Sequence, residues 1–310
     1  MRNITGFGET VFDIVFKNGQ PQAAVPGGST FNSIISLGRT AARDFSGTNV
    51  RMLACTGDDH IGDIVSSFMA DNGVSTEALM RQPSTQTTVS LAFLDSSNDA
   101  KYEFYKDSST LAADAVPELA FSAEDILLYG SFFAVDPVSR HIAVEMLRRA
   151  KEAGSFIYYD INYRRNHIRR LQELLVNIED NCRASSVVRG SIEDFECVFG
   201  ISDPCEVYDR YMKFLCPVLI CTCGSEPVHL FTGKDHFIYS VEVVETVSTI
   251  GAGDNFNAGF IYGLVASGID TERLHSLAKV EWDKLIATAS AFSSATCRSM
   301  WNYVDKDFRP

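Results

Sequence analysis

The chain has 310 residues, of which 45% are hydrophobic and 22% charged, and its net charge is −13. This length and balance allow one α/β domain with a large core and a small appendage. The acidic balance argues against general binding to nucleic acid or to anionic membranes, although a local positive pocket could still hold an anionic substrate.

The cysteines and the N-terminus indicate the compartment. Eight cysteines are scattered through apolar stretches, which favours reduced, buried thiols over a disulfide framework. Cys221 and Cys223 lie two apart on a predicted strand and have no further ligands at metal-site spacing, so core packing is favoured. The first residues lack the order of a signal peptide, and no window is apolar for the ~18 residues of a membrane span. We expect a cytoplasmic protein.

Hydrophobic periodicity and turn residues predict alternating strands and helices. The first part of the chain has a strand at 3–16, a helix opened by 26–30, a strand at 51–55, a helix from 57–59 through 68, and a hairpin at 87–106 around a loop at 95–99. Next come a strand at 126–129, a helix capped by Asp136-Pro137 and ended by Gly154, a strand at 156–160, a helix at about 168–182, a strand at 186–189 and a helix at about 192–199. The last part has strands at 218–222, 228–231 and 238–243 and a final helix from 251–254. This alternation predicts a mostly parallel sheet covered on both faces.

Ligands of such sheets bind beyond the carboxyl ends of the strands, and one segment there carries most of the chemistry. Gly251, Ala252 and Gly253 let the backbone approach a ligand, and the unpaired N–H groups of the following helix suit an anion. Asp254 in the first turn is either a helix-dipole residue or a base that takes a proton from an attacking hydroxyl.

This segment, followed by Phe256 and Ala258-Gly259, resembles the C-terminal signature of the PfkB (ribokinase-like) carbohydrate kinases. The resemblance implies that Asp254 is the catalytic base and that the N–H groups of 251–253 form an anion hole. It also implies a ribokinase-like three-layer α/β/α fold over residues 1–310. A mostly parallel central sheet and a small antiparallel β lid, from about 10–25 and 87–110, would complete it.

The segment from Gly27 and Gly28 to Asn32 is similar to the N-terminal signature of the same family, and Asp13 matches its sugar-binding aspartate. The resemblance assigns these four residues to sugar hydroxyls. A carboxylate, an amide and exposed backbone groups are suited to a polyol. Without the other motifs, the glycine pair would be an ordinary strand-to-helix turn.

Two further matches concern the substrate side, and the first resembles a stretch of the fructokinase-like and 2-keto-3-deoxygluconate kinase-like members. The stretch from Asp160 to Arg164 offers Asn162 and Arg164 to the substrate, although a solvated surface arginine is an equally good interpretation. Tyr105 and Lys106 fall at the lid, where Lys106 stands in for a usual arginine.

The nucleotide side of the resemblance is less complete. Ser191 and Asp194 stand where the family often has Asn-x-x-Glu, linked to magnesium and phosphate, so Asp194 is also the metal candidate. Thr222 and Gly224 resemble the turn beside the nucleotide.

The resemblance therefore implies ATP and Mg²⁺ as cofactors, a small sugar as substrate and a possible homodimer through the lid. One departure is Ser248, which replaces an aspartate that helps to hold a monovalent cation in some members. This loss of a hard anionic ligand puts potassium activation in doubt.

Competing functions remain to be weighed. A dinucleotide-binding oxidoreductase needs a third glycine, but Val11 and Phe256 occupy the two candidate positions. A P-loop enzyme fails because Asp235 follows Lys234. A silent sugar-binding relative remains open, since fold does not guarantee activity. We expect a sugar kinase for a ketohexose such as fructose, with 2-keto-3-deoxygluconate as the alternative.

Overall fold

The computed structural model describes residues 1–94, 100–106 and 117–310. Its strands are β1 (Arg2–Phe7), β2 (Val11–Lys17), β3 (Gln20–Gly27), β4 (Thr48–Gly57), β5 (Val74–Ser75), β6 (Leu79–Gln82), β7 (Val89–Leu94), β8 (Ala100–Tyr105), β9 (Ile126–Gly130), β10 (Phe156–Asp160), β11 (Val187–Ser191), β12 (Val218–Cys223), β13 (Glu226–Thr232) and β14 (His236–Tyr239). The predicted loop at 95–99 and the 107–110 part of the predicted lid lie outside the described residues.

The helices alternate with these strands. They are α1 (Ser29–Arg39), α2 (Ala41–Asp44), α3 (His60–Asp71), α4 (Arg140–Glu152), α5 (Leu171–Ala184), α6 (Ile192–Phe199), α7 (Pro204–Val207), α8 (Lys213–Leu215), α9 (Ala252–Ser267), α10 (Thr271–Leu274) and α11 (Lys279–Cys297). Short 3₁₀ turns at 132–134 and 165–170 and a π turn at 208–212 connect some of them. No helix among the described residues combines the length and apolar character that a membrane crossing needs.

Ten strands form the main sheet, in the order β14-β13-β12-β11-β10-β9-β1-β4-β5, with β6 beside β4. The strands from β12 to β5 run parallel, and the β12–β13–β14 edge is antiparallel. Every residue of β10 is buried, as expected for a parallel strand covered on both faces. This is the ribokinase-like arrangement that the resemblance implied.

Two apolar layers cover the faces of the sheet. On one face, α1, α9 and α11 pack through residues such as Ile34, Phe260 and Leu285. On the other face, α4, α5 and α6 pack through residues such as Ile142 and Ile178. The carboxyl ends of the parallel strands therefore meet the first turns of α1, α6 and α9, where the candidate site lies.

A second sheet of four strands, in the order β3-β2-β7-β8, lies beside the main one. It consists of two antiparallel hairpins whose inner strands, β2 and β7, pair in parallel. In this pairing Asp13 faces Ser90, and the hydroxyl of Ser90 donates a hydrogen bond to the Asp13 carboxylate. The predicted hairpin at 87–106 is one half of this sheet.

Four sequence expectations are wrong. The strand predicted at 3–16 is two strands, because the chain bends at Gly8 and passes from the main sheet into the small sheet. The Asp136-Pro137 pair does not cap α4, which begins at Arg140, because the Asp136 carbonyl instead accepts from the N–H groups of Ser139 and Arg140 in a preceding turn. The strand predicted at 238–243 ends at Tyr239, since Val243 is 94% exposed and has no face to bury. The helix from residue 252 is not the last, because α10 and α11 follow it.

Candidate active site

Asp254 lies in the first turn of α9, where the chain enters the helix through Gly251 in a left-handed conformation (φ 79°). The side chain is 8% exposed. Its Oδ1 accepts from the hydroxyl of Ser29 and its Oδ2 from the amide of Asn32, each at 2.8 Å. The carboxylate thus faces the first turn of α1 and not the apolar core.

The environment of Asp254 sets its acidity. Burial raises the pKa of Asp254 to about 6, and the nearby Asp160 carboxylate adds to the rise, while the hydrogen bonds from Asn32 and Ser29 and the charge of Arg164 oppose it. A carboxylate with a pKa near 6 is mostly ionised at neutral pH and is a better proton acceptor than an ordinary aspartate.

The glycines on either side of Ala252 make close contacts that a side chain would prevent. A Cβ on Gly251 would lie 2.7 Å from the Asn302 carbonyl, and one on Gly253 would lie 2.8 Å from Nη2 of Arg189. The Ala252 N–H already donates to the Thr249 carbonyl at 3.2 Å. Of the three predicted anion-hole donors, Ala252 is therefore the least available to a ligand.

Arg189, which the sequence analysis did not select, lies directly beneath Gly253. It is 7% exposed and its Nη1 donates to Asp160 at 3.1 Å, while Nη2 donates to Thr222 at 2.6 Å. Burial opposes its charge, but Asp160 and Asp194 outweigh this effect and raise its pKa. The sequence signal that could have identified Arg189 is a charged residue at the end of an apolar strand.

The buried Asp160 extends this polar network into α9. Its second oxygen, Oδ2, accepts from the Asn257 amide at 2.8 Å, and the Asn257 carbonyl oxygen accepts from Tyr158 at 3.1 Å. Both oxygens of Asp160 are thus bonded within the protein. This residue holds Arg189 and α9 in place and is not free to contact a substrate.

Asp13, Gly27 and Gly28 meet where the small sheet joins α1. Asp13 is 7% exposed, and burial raises its pKa to about 6, against the hydrogen bond from Ser90 and the charge of Arg164. A Cβ on Gly27 would collide with the Asp13 carboxylate, and one on Gly28 (φ 120°) would collide with the Glu9 carbonyl. Both glycines are therefore required by close approach within the protein, and their predicted contact with sugar hydroxyls stays a prediction.

The hydrogen bond from the Asn32 amide to Asp254 orients the Asn32 side chain and turns its carbonyl oxygen, Oδ1, away from Asp254. Within the described part of the chain, its Oδ1 is buried and has no hydrogen-bond partner. A buried acceptor without a partner is costly, so this atom is available to a hydrogen-bond donor that the protein itself does not supply.

A cavity of about 270 Å³ opens beside Asp13. Tyr102 of the small sheet, Ser248 and the C-terminal residues Met300, Trp301 and Asn302 also line it. Asp254, Gly28 and Asn32 are not among its described lining residues. The return of the C-terminal segment to this site was not expected from the sequence.

The structure brings Asn162 and Arg164 to the same region. Asn162 has a φ of 36°, and its amide donates to the Ser29 hydroxyl at 2.7 Å. Arg164 is exposed, and its charge lowers the pKa of both Asp13 and Asp254. Ser29 thus links Asn162 to the Asp254 carboxylate.

Lys106 and Tyr105 lie at the end of the small sheet. Lys106 forms an ion pair with Glu9 at 2.6 Å, and Tyr105 is 60% exposed. No described contact joins either of them to Asp254 or Asp13, so their predicted contact with substrate stays a prediction.

Ser191 and Asp194 form a capping box at the start of α6. The Ser191 hydroxyl accepts from the Asp194 N–H at 3.1 Å, and Asp194 Oδ2 accepts from the Ser191 N–H at 2.7 Å. Burial and then Asp160 raise the pKa of Asp194 to about 6, while Arg189 opposes them. Thr222 bonds Arg189, and Gly224 (φ 63°) turns the chain from β12 into β13.

Together with the fold, this arrangement places the protein among the ribokinase-like phosphotransferases with a hydroxyl acceptor. A family model described as pfkB family carbohydrate kinase matches residues 1–301, and the chain belongs to this family. The resemblance drawn from the motifs is confirmed.

Individual relatives differ in their substrates. A fructokinase from Vibrio alginolyticus is 24% identical over 262 residues, covering 84% of this chain and 83% of its own length. An aminoimidazole riboside kinase from Salmonella typhimurium is 23% identical over 269 residues, covering 85% and 81%. The fold is shared with a Vibrio cholerae fructokinase crystallised with fructose, ADP and calcium (TM-score 0.83, 20% identity, 97% and 94% coverage).

Proposed function

We propose that this sugar kinase transfers the γ-phosphate of ATP to a hydroxyl of a small neutral sugar, a ketohexose such as fructose. The observation that carries the proposal is the buried Asp254 carboxylate at the first turn of α9, held by Ser29 and Asn32. Asp254 acts as the base that takes the hydroxyl proton, while N–H groups of the Gly251–Gly253 turn stabilise charge on the transferring phosphoryl group.

The sugar is held by the neighbouring polar groups. Asp13 accepts hydrogen bonds from sugar hydroxyls, and the partnerless Oδ1 of Asn32 accepts another. Because Gly27 and Gly28 have no Cβ, the backbone can pass close to Asp13. The cavity beside Asp13 gives room to the part of the sugar that Asp13 holds, although Asp254 and Asn32 do not line it, and the small sheet that carries Tyr102 would close over it to exclude water.

The charges around the site favour a neutral sugar over a sugar acid. Asp13 and Asp254 are both carboxylates, and Lys106, the candidate partner of a substrate carboxylate, is already paired with Glu9. Arg164 remains exposed and is the observation that keeps 2-keto-3-deoxygluconate as the second candidate. A sugar acid would have to depend mainly on this one arginine.

The nucleotide lies across the other strand ends, with Ser191, Asp194, Thr222 and Gly224 as its contacts. The proposed ligand for Mg²⁺ is the carboxylate of Asp194, a hard oxygen donor, and the neighbouring Asp160 carboxylate adds negative charge that a cation would offset. Bound Mg²⁺ would offset charge on the ATP phosphates. Potassium is not among the proposed cofactors, because Ser248 offers only a neutral hydroxyl. This hydroxyl already accepts a hydrogen bond from the Ile250 N–H at 3.2 Å.

The small sheet also supports the proposed homodimer. Phe93, Phe104 and Tyr105 on β7 and β8 are 37%, 53% and 60% exposed. Phe93 and Tyr105 share one face of the sheet, since Val89 pairs with Tyr105, and pairing of two copies through this face would cover them. Sedimentation of the wild type beside a Phe93→Lys variant tests this, and an unchanged monomer in both would reject it.

The substrate is tested by measuring ADP release with fructose, aminoimidazole riboside and 2-keto-3-deoxygluconate, at fixed ATP and Mg²⁺. The highest kcat/KM is expected with fructose. Fastest turnover of the sugar acid would favour the second candidate. If a sugar raises the melting temperature but none is phosphorylated, the protein is a silent sugar-binding relative.

A further inference from the structure

Three metal-ligating side chains meet at the antiparallel edge of the main sheet, away from the candidate active site. They are Cys205 in α7, His229 on β13 and His236 on β14, and one ligand atom from each lies within 4.8 Å of the others. His229 Nδ1 is 3.0 Å from His236 Nε2, and Cys205 Sγ is 4.0 Å from His236 Nδ1. Neither the sequence analysis nor the proposed function uses these residues.

Strand register explains why the two histidines meet. His229 pairs with Ile238 and Phe231 pairs with His236, so His229 and His236 project from the same face of the hairpin. The His236 ring stacks on Phe231, with centroids 4.1 Å apart, and Phe231 stacks in turn on Tyr208 at 4.4 Å. The ring is therefore supported although its residue is exposed.

Helix capping places the cysteine. Asp203 accepts from the Glu206 N–H at 2.7 Å and so fixes the start of α7, with Cys205 in its first turn. Cys205 is the exposed one among the eight cysteines, all of which are free. Its thiol therefore faces solvent and the histidines rather than the core.

A metal ligand must be deprotonated at the atom that binds the ion. A neutral imidazole nitrogen of His229 or His236 meets this requirement directly, whereas the Cys205 thiol would release a proton when the ion binds.

We propose that Cys205, His229 and His236 form a binding site for Zn²⁺, with a fourth position open to solvent. Zinc takes sulfur at about 2.3 Å and nitrogen at about 2.0–2.1 Å in tetrahedral sites, which places the ligand atoms roughly 3.3–3.6 Å apart. The separations of 3.0 and 4.0 Å involve the two different nitrogens of His236, and one ligand atom from each residue lies within 4.8 Å of the others, so the three side chains must move closer to hold one ion. A rotation of the exposed His236 ring brings one of its nitrogens to the ion.

The ligand set selects the type of metal. One thiolate and two imidazoles suit zinc and its borderline neighbours, whereas Mg²⁺ and Ca²⁺ require oxygen ligands. The ion would tie the β13–β14 hairpin to the segment that carries α7. The site is separate from Asp254 and is expected to affect stability and not the phosphotransfer step.

The test is metal binding by the full-length protein, free of tags. Zn²⁺ affinity is measured by competition with a chromophoric chelator, and Co²⁺ is added to detect the thiolate-to-cobalt charge-transfer band and tetrahedral visible bands. Wild type should bind one equivalent of each metal. Cys205→Ser should abolish the charge-transfer band, and both Cys205→Ser and His236→Asn should weaken Zn²⁺ binding at least tenfold.

Two variants serve as matched controls. Cys223→Ser removes a thiol whose sulfur lies 4.0 Å from that of Cys221, and His275→Asn removes an exposed histidine elsewhere. Both should retain the cobalt spectrum. Unchanged binding in Cys205→Ser and His236→Asn, or loss of the band in Cys223→Ser instead, would overturn the assignment.

Discussion

The side-chain amide of Asn32 donates to Oδ2 of Asp254 at 2.8 Å, although 222 residues separate the two. This bond joins the first turns of α1 and α9, the two glycine-led helices of the site. It also turns Oδ1 of Asn32 toward a position without a protein partner. One residue thus adjusts the base and offers an acceptor to the sugar.

Replacing Asn32 by leucine should separate these two effects in one pH profile. Because the Asn32 amide lowers the pKa of Asp254, its removal should raise that pKa above about 6. A lost bond to a charged group corresponds to about one pH unit. The acid limb of kcat should move to higher pH, and KM for the sugar should rise.

The matched control is Asn177→Leu, since Asn177 donates to a backbone carbonyl remote from the site. Its profile should coincide with that of the wild type. An unshifted acid limb in Asn32→Leu would show that the bond does not act on the base.

Asp254 should also reduce stability at neutral pH. Its pKa is raised from 3.8 to about 6 by burial, so the folded state retains a proton that the unfolded state has lost. Stability of the wild type is therefore lost as the pH rises from about 4 to about 6. Asp254→Asn does not have this titrating group. Its free energy of unfolding, relative to that of the wild type, should therefore increase by about 3 kcal/mol between pH 4 and 7.

Urea unfolding of both proteins across this range measures the difference. Asp283→Asn is a control of opposite sign, because the hydrogen bond from Lys279 lowers the pKa of Asp283. The free energy of unfolding of Asp283→Asn should fall relative to that of the wild type as the pH rises. A constant difference between Asp254→Asn and wild type would contradict the burial of an ionised carboxylate.

Arg189 compensates two buried acids and should be essential to stability. Arg189→Met would leave Asp160 and Asp194 buried without a counter-charge, which typically costs about 3–5 kcal/mol. Arg189→Met combined with Asp160→Asn should cost less than the sum of the single variants. Additive losses in urea unfolding at pH 7 would show that Arg189 and Asp160 are not coupled.

Most of the fold could be predicted from periodicity, since the strand at 156–160 and the helix at 192–199 have the predicted bounds. The error at Asp136-Pro137 has a physical cause, because a capping aspartate followed by proline also suits a turn. The omission of α11 has no such cause, because the sequence shows buried-type residues at helical spacing there. They are Trp282, Leu285, Ile286, Ala289 and Phe292, and all are buried in the structure.

The site was predictable only in part. The motifs located Asp254, Asn32 and Asp13, but Arg189 depends on pairing between strands. In the parallel register, Asp160 is the partner of Arg189, and this becomes visible only once β10 lies beside β11. The C-terminal return of Asn302 to Gly251 is a long-range contact of the same kind.

The central claim is that Asp254 takes the proton from the sugar hydroxyl. Asp254→Asn retains the size of the side chain, and its oxygen can still accept from the Asn32 amide while its new amide donates to the Ser29 hydroxyl oxygen. Binding of sugar and of ATP should therefore survive. Asp180→Asn, an exposed change on α5, is the matched control.

The most direct test is the turnover number of Asp254→Asn with saturating fructose and ATP, beside equilibrium binding of each ligand. Loss of a general base should lower kcat by about 10²–10⁴-fold while both dissociation constants stay close to those of the wild type. A turnover number within a few fold of the wild type would contradict the role of Asp254 as the base.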